Sequence, residues 1–350
     1  MQAPRAEALT LDVVDMHTAG EPARIVVGGY PRLTGATILD KRREAQERHD
    51  HLRRALMHEP RGHSGMYGVI PVEPSQAAKA QGARLACLFT HASGYSTMCG
   101  HATIAFARFA VERGLVAAPA GGEGVARFAL ELPCGVVAVE ARMAKGAVVA
   151  TAFESVPAFV EAENVAVDVA GIGRVSCDVA FGGAFYAILP VSRLGLSFEA
   201  PLKRRIAAGM ALFDALRARR PAPVHPLEND LSFLYGVILT DDAAPPADTR
   251  NLCLFGEGQI DRSPTGSGVT ARMALDLLGQ RIGEGVSRRF AGATGEAFTG
   301  TARRDGAVAG RMAARVRVEG RGFYSGEARL IVEPDDPLRE GFLLFQNETG

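Results

Sequence analysis

The chain has 350 residues, of which 47% are hydrophobic and 22% charged, which fits a folded protein of about two domains and argues against disorder. Basic and acidic side chains number 39 each, so the overall positive charge typical of nucleic-acid binding is absent. No apolar run reaches the roughly 18–20 residues that a membrane-spanning helix needs, and the first twenty residues lack the pattern of an export signal. We therefore expect a cytoplasmic protein that binds neither nucleic acid nor membranes.

The cysteines and lysines limit the possible chemistry. The five cysteines form no Cys-x-x-Cys pair, and an odd number without an export signal favours reduced thiols over a disulfide framework. They are Cys87, Cys99, Cys134, Cys177 and Cys253. The chain has only four lysines, and none lies in a distinctive glycine-rich context, which disfavours Schiff-base catalysis.

Short β-like runs recur along the chain, most of them separated by turns that contain glycine or proline. They cover residues 24–27, 85–89, 136–139, 148–152, 237–239, 315–318 and 330–332. Two longer segments have helical patterns. Residues 41–57 are highly charged and predict a surface helix, and residues 202–217 predict an amphipathic helix.

Two further helices are predicted at 98–111 and 264–275, and both are apolar nearly all round, which is typical of buried helices. When they are aligned on Cys99 and Thr265, each continues with a glycine, a polar residue and a small residue. The two positions lie about half the chain length apart. This pattern predicts two similar β-rich halves, residues 1–155 and 156–350, each wrapped around one helix, with the last residues able to pack on the first half. Chance similarity between two glycine-started helices is the alternative.

The starts of these two helices can bind an anion, because a helix N-terminus presents unpaired N–H groups and a partial positive charge. The same environment lowers the pKa of a cysteine, so we expect Cys99 to favour the thiolate and interpret the other four cysteines as core. A buried structural role for Cys99 is the alternative. If the helix starts face each other, Cys99 and Thr265 lie on opposite sides of the carbon next to a bound carboxylate. The N–H groups that would hold this carboxylate are those of Gly100, His101, Gly266 and Ser267. Such a site suits removal of a proton from that carbon.

Four segments occur in an order that resembles the proline racemase family, which has the diaminopimelate-epimerase-like fold. They are HTAGEP at 17–22, EPRGH at 59–63, MCGH at 98–101 and GQIDRSPTGSG at 258–268. The resemblance implies an α+β protein with two pseudo-symmetric half-domains, a site in the cleft between them and no cofactor or metal. It also implies a small imino acid as the substrate and, because relatives are often homodimers, a homodimer.

The family resemblance assigns roles to individual residues. It implies that Cys99 is one catalytic acid and base, and that Asp261 contacts the ring nitrogen of the substrate. It also implies that the two glycine motifs hold the substrate carboxylate. The residues in those motifs are Gly100, His101, Gly266 and Ser267.

Thr265 stands where racemases and epimerases of the family have a second cysteine. A thiol with a pKa of about 8.5 can give or take a proton near neutral pH, whereas an unassisted threonine hydroxyl is far too weak an acid. The Cys/Thr pair resembles the lyase branch of the family, which dehydrates trans-3-hydroxy-L-proline to Δ1-pyrroline-2-carboxylate. In that reaction Cys99 would remove the α-proton and the 3-hydroxyl would leave. His101, Thr265 and a held water remain candidates for protonating the leaving group.

Two other functions stay open. The chain could be a proline racemase or 4-hydroxyproline 2-epimerase that uses Thr265 or water on the second face. It could also be a catalytically silent imino-acid-binding protein, against which the intact Cys99 and Asp261 speak.

Other motifs in the chain favour structural interpretations. Residues 266–271 match the dinucleotide pattern G-x-G-x-x-A but do not directly follow a predicted strand. Four histidines between residues 49 and 63 have no established zinc spacing, and no G-x-S-x-G motif of a serine hydrolase occurs. His17, Glu21 and His63 either shape the pocket or support the fold, and we interpret His91 as structural.

Overall fold

The computed structural model describes residues 8–242 and 248–344. The elements of the first part are β1 (Leu9–Thr18), β2 (Glu21–Gly28), α1 (Ile38–Arg48), α2 (Asp50–Met57), β3 (Tyr67–Val72), α3 (Gln76–Ala80), β4 (Ala83–His91), β5 (Gly94–Ser96), α4 (Gly100–Glu112), β6 (Gly124–Leu132), β7 (Gly135–Ala144) and β8 (Ala147–Glu154). Those that follow are β9 (Ala158–Val169), β10 (Gly173–Phe181), β11 (Phe185–Pro190), α5 (Leu202–Ala218), β12 (Leu234–Asp241), β13 (Asp248–Phe255), β14 (Gln259–Asp261), α6 (Gly266–Leu278), β15 (Ser287–Ala291), β16 (Ala297–Val308), β17 (Arg311–Gly320) and β18 (Gly322–Val332). Short 3₁₀ turns lie at Ala120–Gly122, Val191–Leu194 and Asn229–Leu231.

Helix α4 is the centre of the first half of the fold. Strands β1, β2, β3, β7, β8 and β18 pack around it. Its small and apolar side chains are buried on nearly every side, since only Arg108 and Glu112 of its thirteen residues are not buried. The predicted apolar helix is therefore confirmed, and the strands that surround it hold its N-terminus in the interior.

Helix α6 has the same position in the second half, where β9, β10, β11, β16 and β17 pack around it. All of its residues except Leu278 are buried. Two charged residues of this helix, Arg272 and Asp276, are buried. Arg272 donates to Asn251 Oδ1 at 2.6 Å and to Asp242 Oδ1 at 2.7 Å, so its charge is compensated.

Strands of the two halves pair with each other, and the last strand of the chain joins the first half. Strand β18 pairs antiparallel with β1 along its length, from Leu9 opposite Val332 to Thr18 opposite Gly322. Strand β17 pairs with β8, with Arg317 opposite Glu154, and thereby joins the two halves. The division into residues 1–155 and 156–350 stays a prediction. The pairing of β18 with β1 fits the part of this prediction in which the last residues pack on the first half.

The strand predictions are confirmed, since each of the seven β-like runs lies within an observed strand, and residues 202–217 lie within α5. The single surface helix predicted at 41–57 is wrong. The chain forms two helices that break at His49, and the second one buries Leu52, Ala55, Leu56 and Met57. The charge of this second helix is accommodated because buried Arg53 donates hydrogen bonds to Asp50 and to the carbonyl oxygen of His91. No helix in the described part of the chain is long and apolar enough to cross a membrane.

Candidate active site

The N-termini of α4 and α6 meet backbone to backbone. A Cβ atom added to Gly100 would lie 2.4 Å from the Cα atom of Gly266, and one added to Gly266 would lie 2.6 Å from Cα of Gly100. Real Cβ contacts are not this short, so both positions need glycine. The prediction that the two helix starts face each other is confirmed. The first N–H groups of both helices, which have no partner within their own helix, therefore converge on one point.

A closed cavity lies at this junction. Its walls include six of the seven residues that the sequence predicts for the site, and the seventh, Gly266, lies against Gly100 beside them. The six are Cys99, Gly100, His101, Asp261, Thr265 and Ser267. Its free volume is about 10 Å³, enough for about one water molecule. A ligand the size of a five-membered ring is larger than this free volume.

Cys99 and His101 form a hydrogen-bonded pair in this cavity. His101 Nδ1 lies 3.1 Å from Cys99 Sγ, and Nε2 lies 3.1 Å from the carbonyl oxygen of Pro22. A carbonyl oxygen can only accept, so Nε2 carries the imidazole hydrogen and Nδ1 is free to accept the Cys99 proton. Thr18 donates to the carbonyl oxygen of His101 at 2.9 Å and fixes this turn. The histidine is thus placed to deprotonate the thiol.

The electrostatics of this site favour the neutral thiol of Cys99, contrary to the expectation from the sequence. Burial raises the pKa of the Cys99 thiol well above its ordinary value, and the nearby Asp261 carboxylate raises it further. The helix N-terminus acts in the opposite direction through the N–H of Ala102, which lies 3.4 Å from Sγ, but does not prevail. Burial also lowers the pKa of His101, although Asp261 opposes this effect. Both members of the pair are therefore neutral.

Asp261 supplies negative charge to one wall of the cavity. Its Oδ1 accepts a hydrogen bond from the Ser263 N–H at 2.8 Å, and its Oδ2 lies 3.8 Å from His101 Nδ1. The carboxylate lies at the end of β14, opposite Cys253 of β13. A cationic group of a ligand placed between Asp261 and Cys99 would be attracted to the carboxylate. It would also offset the effect of that carboxylate on the thiol.

Thr265 lies on the α6 side of the cavity in a strained conformation. Its φ of 63° and ψ of 90° are unusual for a β-branched residue. The residue is 4% exposed, and its Oγ1 lies next to the Cys253 thiol but makes no well-formed hydrogen bond among the described residues. Residues held in rare backbone conformations concentrate at functional sites. The hydroxyl is consequently available to a ligand in the cavity.

Buried Glu21 forms an ion pair beside the site with Arg262, whose side chain is one-third exposed. Glu21 Oε2 accepts hydrogen bonds from Arg262 N at 2.7 Å and from its guanidinium at 3.0 Å. Burial raises the pKa of Glu21 well above its usual value, Asp261 adds to this effect, and Arg262 opposes it. This pair links β2 to the end of β14. It connects the two halves at the cavity, which fits the supporting role considered for Glu21.

Sequence reasoning missed five large side chains of the cavity wall and one cysteine. Met98 and Phe255 are apolar, and Tyr67, Tyr186 and Tyr235 bring hydroxyl groups from three separate strands. Cys253 lies in the core as interpreted, and this fully buried residue also lines the cavity. A signal for it existed, since residues 253 and 255 alternate in a strand just before the turn that leads to Asp261.

The remaining histidines lie outside the cavity wall. His17 stacks on Phe323 with ring centroids 5.4 Å apart, and His63 Nδ1 accepts from the Gly65 N–H at 3.2 Å. His91 stacks behind Tyr67, and burial lowers the pKa of His91 to about 3. Over residues 8–242 and 248–344, no group of three or more His, Cys, Asp and Glu side chains has metal-binding geometry.

The comparisons with known proteins agree with this site. The proline racemase family matches residues 13–343. A trans-3-hydroxy-L-proline dehydratase of Homo sapiens is 47% identical over 342 residues, which cover 95% of this chain and 94% of that protein. One from Colwellia psychrerythraea is 40% identical over 96% of this chain and 93% of its own. The chain belongs to the proline racemase family.

The fold agrees with that of a solved family structure. A hydroxyproline epimerase from Agrobacterium vitis with bound trans-4-hydroxy-L-proline matches 97% of each chain with a TM-score of 0.89 and 27% identity. The expected α+β, diaminopimelate-epimerase-like fold is confirmed.

Proposed function

We propose that the protein is a hydro-lyase that dehydrates trans-3-hydroxy-L-proline to Δ1-pyrroline-2-carboxylate. One observation carries this proposal: the Cys99 thiol and the Thr265 hydroxyl line one cavity from the two helix starts that meet at Gly100 and Gly266. One face of a bound substrate then meets a competent base, and the other meets a group too weakly acidic to return a proton. Two relatives, at 47% and 40% identity, carry this activity in their names.

In the proposed complex the substrate carboxylate binds to the N–H groups at the starts of α4 and α6. These are the N–H groups of Gly100, His101, Gly266 and Ser267. Helix N-termini stabilise a carboxylate, and they stabilise it more as charge spreads onto it when the α-proton is removed. The substrate ring nitrogen binds to Asp261. Because the substrate cation offsets the charge of Asp261, its binding removes one cause of the raised pKa of Cys99.

The reaction begins with transfer of the Cys99 proton to His101 Nδ1, at 3.1 Å. The thiolate removes the α-proton, and the electron pair left on the α-carbon expels the 3-hydroxyl, which leaves as water after gaining a proton. The product is an enamine, which tautomerises to Δ1-pyrroline-2-carboxylate. No step needs a cofactor. Cys99 and Thr265 are the proposed catalytic residues.

A racemase or epimerase is the second candidate. The observation that favours it is Cys253, a second thiol in the wall on the Thr265 side. Burial raises the pKa of this thiol well above its usual value, Asp261 raises it further, and the adjacent Thr265 hydroxyl acts in the opposite direction. Cys99 has His101 Nδ1 at 3.1 Å to take its proton, and the dehydratase relatives also speak for the first candidate, so we favour the lyase.

The test is a substrate panel. Purified protein is incubated separately with trans-3-hydroxy-L-proline, trans-4-hydroxy-L-proline and L-proline, and each reaction is followed by proton NMR. The proposal predicts pyrroline carboxylate from the first compound and no epimer from the other two. Epimers of the second or third compound without any pyrroline from the first would overturn it.

We also propose that the protein acts as a cytoplasmic homodimer. The family resemblance supports the dimer, and the five cysteines, all of which are free, fit a reducing compartment. Analytical ultracentrifugation tests the dimer, which predicts a mass near 74 kDa, about twice the 37.0 kDa of one chain.

A further inference from the structure

The stereochemistry of the proposed substrate places two departing groups on one face of its ring. In trans-3-hydroxy-L-proline the hydroxyl and the carboxylate lie on opposite faces. The α-hydrogen is also opposite the carboxylate, so it shares a face with the hydroxyl. The base that removes the α-hydrogen and the acid that protonates the hydroxyl must therefore work from the same side of the cavity.

Because Cys99 is the proposed base, this side of the cavity is the one formed by α4 and β3. Near the thiol the described cavity wall holds the imidazole of His101 and the hydroxyl of Tyr67. Tyr235 also lines the cavity, and its ring packs against Tyr186 and Phe255. Thr265, Ser267 and Tyr186 belong to the opposite side, where the Tyr186 hydroxyl contacts Ser267 Oγ at 2.7 Å. This arrangement separates Thr265 from the leaving group.

His101 is committed to other partners. Its Nε2 binds the Pro22 carbonyl oxygen and its Nδ1 faces the Cys99 sulfur and Asp261. The Tyr67 ring packs edge-on against the imidazole with centroids 4.7 Å apart, and Tyr67 lines the same cavity as Cys99. Burial raises the pKa of Cys99, and Tyr67 partly offsets this by acting as a hydrogen-bond donor to the sulfur.

Tyr67 is held firmly in this position. It is 3% exposed, and its ring stacks on that of His91 at 5.8 Å. Its hydroxyl lies 2.5 Å from Ser96 Oγ, and either oxygen can be the donor in this contact. When Ser96 donates, the Tyr67 hydrogen is free to point into the cavity. Ser96 and Tyr67 then form a short chain of hydroxyl groups that ends on the Cys99 face.

We infer that Tyr67 is a further catalytic residue, which protonates the departing 3-hydroxyl in a same-face elimination. The inference rests on the proposed dehydratase function. The Cys99 thiolate takes the α-hydrogen, the C3–O bond breaks, and the Tyr67 hydroxyl gives its proton to the departing oxygen to form water. The new Cys99 thiol then returns a proton to the Tyr67 phenolate through their contact. Both residues end in their starting states, so no other reactant is needed.

The experiment compares Tyr67→Phe with wild type on substrate carrying hydrogen or deuterium at the α-carbon. Loss of a general acid is expected to slow kcat/KM by about 10²-fold or more. Because C–O cleavage then limits the rate, the α-deuterium isotope effect should fall towards 1. Tyr95→Phe is the control, since it removes a buried tyrosine hydroxyl outside the cavity that donates to the Ala45 carbonyl oxygen. This control should keep both the rate and the isotope effect.

A slow Tyr67→Phe variant with an undiminished isotope effect would overturn the inference, because Tyr67 would then only assist Cys99. An unchanged rate would also overturn it.

Wild type is tested in parallel with cis-3-hydroxy-L-proline, whose hydroxyl lies on the face opposite the α-hydrogen. We expect at least a 100-fold lower dehydration rate, and comparable rates would contradict a same-face mechanism. Wild type that fails to dehydrate the trans isomer would instead refute the proposed function itself.

Discussion

Cys99 and Thr265 occupy equivalent positions at the starts of α4 and α6, but only the cysteine caps its helix. Cys99 has an extended backbone, with φ at −143°, and its sulfur accepts the Ala102 N–H. Thr265 has φ at 63° and makes no side-chain cap. The pseudo-symmetry of the fold is therefore broken at the two atoms that would face the substrate. We propose that this asymmetry is the structural basis for elimination instead of inversion.

The Thr265→Cys substitution should introduce inversion at the α-carbon, since it places a thiol on the substrate face opposite Cys99, as in the racemases of the family. The fold should tolerate the change, because cysteine lacks the branched Cβ that makes φ at 63° costly for threonine. The measurement is chiral chromatography of L-proline and trans-4-hydroxy-L-proline after incubation. Thr265→Ser is the control, which should give no epimer. If Thr265→Cys also gives none, pocket shape and not the second base decides the outcome.

Cys99→Ser should reduce dehydration by about 10³-fold or more, because a serine hydroxyl is too weak an acid to replace the thiol as base. Its melting temperature should stay close to that of wild type. The matched control is Cys177→Ser, which changes a buried cysteine far along β10 that does not line the cavity. Full activity in Cys99→Ser would remove the proposed mechanism.

Asp261→Asn should have two opposite effects. Because the carboxylate raises the pKa of Cys99, its loss should lower that pKa, and the pH profile of Cys99 alkylation by iodoacetamide should move to lower pH. At the same time kcat/KM should fall, because the anchor for the ring nitrogen is lost. Peptide mass spectrometry measures the alkylation, with exposed Asp335→Asn as the control. An alkylation profile that does not move would show that the two groups are not coupled.

Gly266→Ala should destabilise the protein by about 1–3 kcal/mol and abolish activity, because the added methyl group would collide with the backbone of Gly100. Chemical denaturation measures the first effect and the NMR assay the second. Gly326→Ala is the control, since a Cβ there meets nothing within 4 Å. A stable and active Gly266→Ala variant would mean that the helix starts are not in contact in solution.

Arg262→Gln should make stability more dependent on pH. A carboxyl group whose pKa is higher in the folded than in the unfolded state lowers stability as pH rises above its ordinary value of 4.5. Burial and Asp261 already raise the pKa of Glu21, and loss of Arg262 should raise it further. The variant should thus lose more stability at pH 8 than at pH 5 in urea denaturation. An equal loss at both values would contradict this account, and the surface variant Arg303→Gln serves as the control.

The sequence predicts the two central helices and their contact well, because their signals are local. Glycine, a polar residue and a long apolar run follow both Cys99 and Thr265, and this pattern describes a buried helix start. The ionisation of Cys99 was not predictable in the same way. It depends on how completely the site closes and on the distance to Asp261, and neither quantity can be read from residue order.

The tyrosines of the cavity wall could not be predicted from the sequence either, and the reason is physical. Tyr67, Tyr186 and Tyr235 come from three strands, and only tertiary packing brings them together. The split of residues 41–57 was hidden because paired charges such as Arg53 with Asp50 allow a charged helix to be buried. Periodicity reports which face a residue lies on, but it does not report which partner neutralises its charge.

The most direct test of the central claim follows the α-carbon of trans-3-hydroxy-L-proline in deuterated water by NMR. With a single competent thiol on one face, the account predicts Δ1-pyrroline-2-carboxylate as the product, and all remaining substrate should keep its trans-L configuration. Inversion at the α-carbon would instead give cis-3-hydroxy-D-proline that carries deuterium at that carbon. Accumulation of this isomer would contradict the account, because it requires a second acid on the Thr265 face.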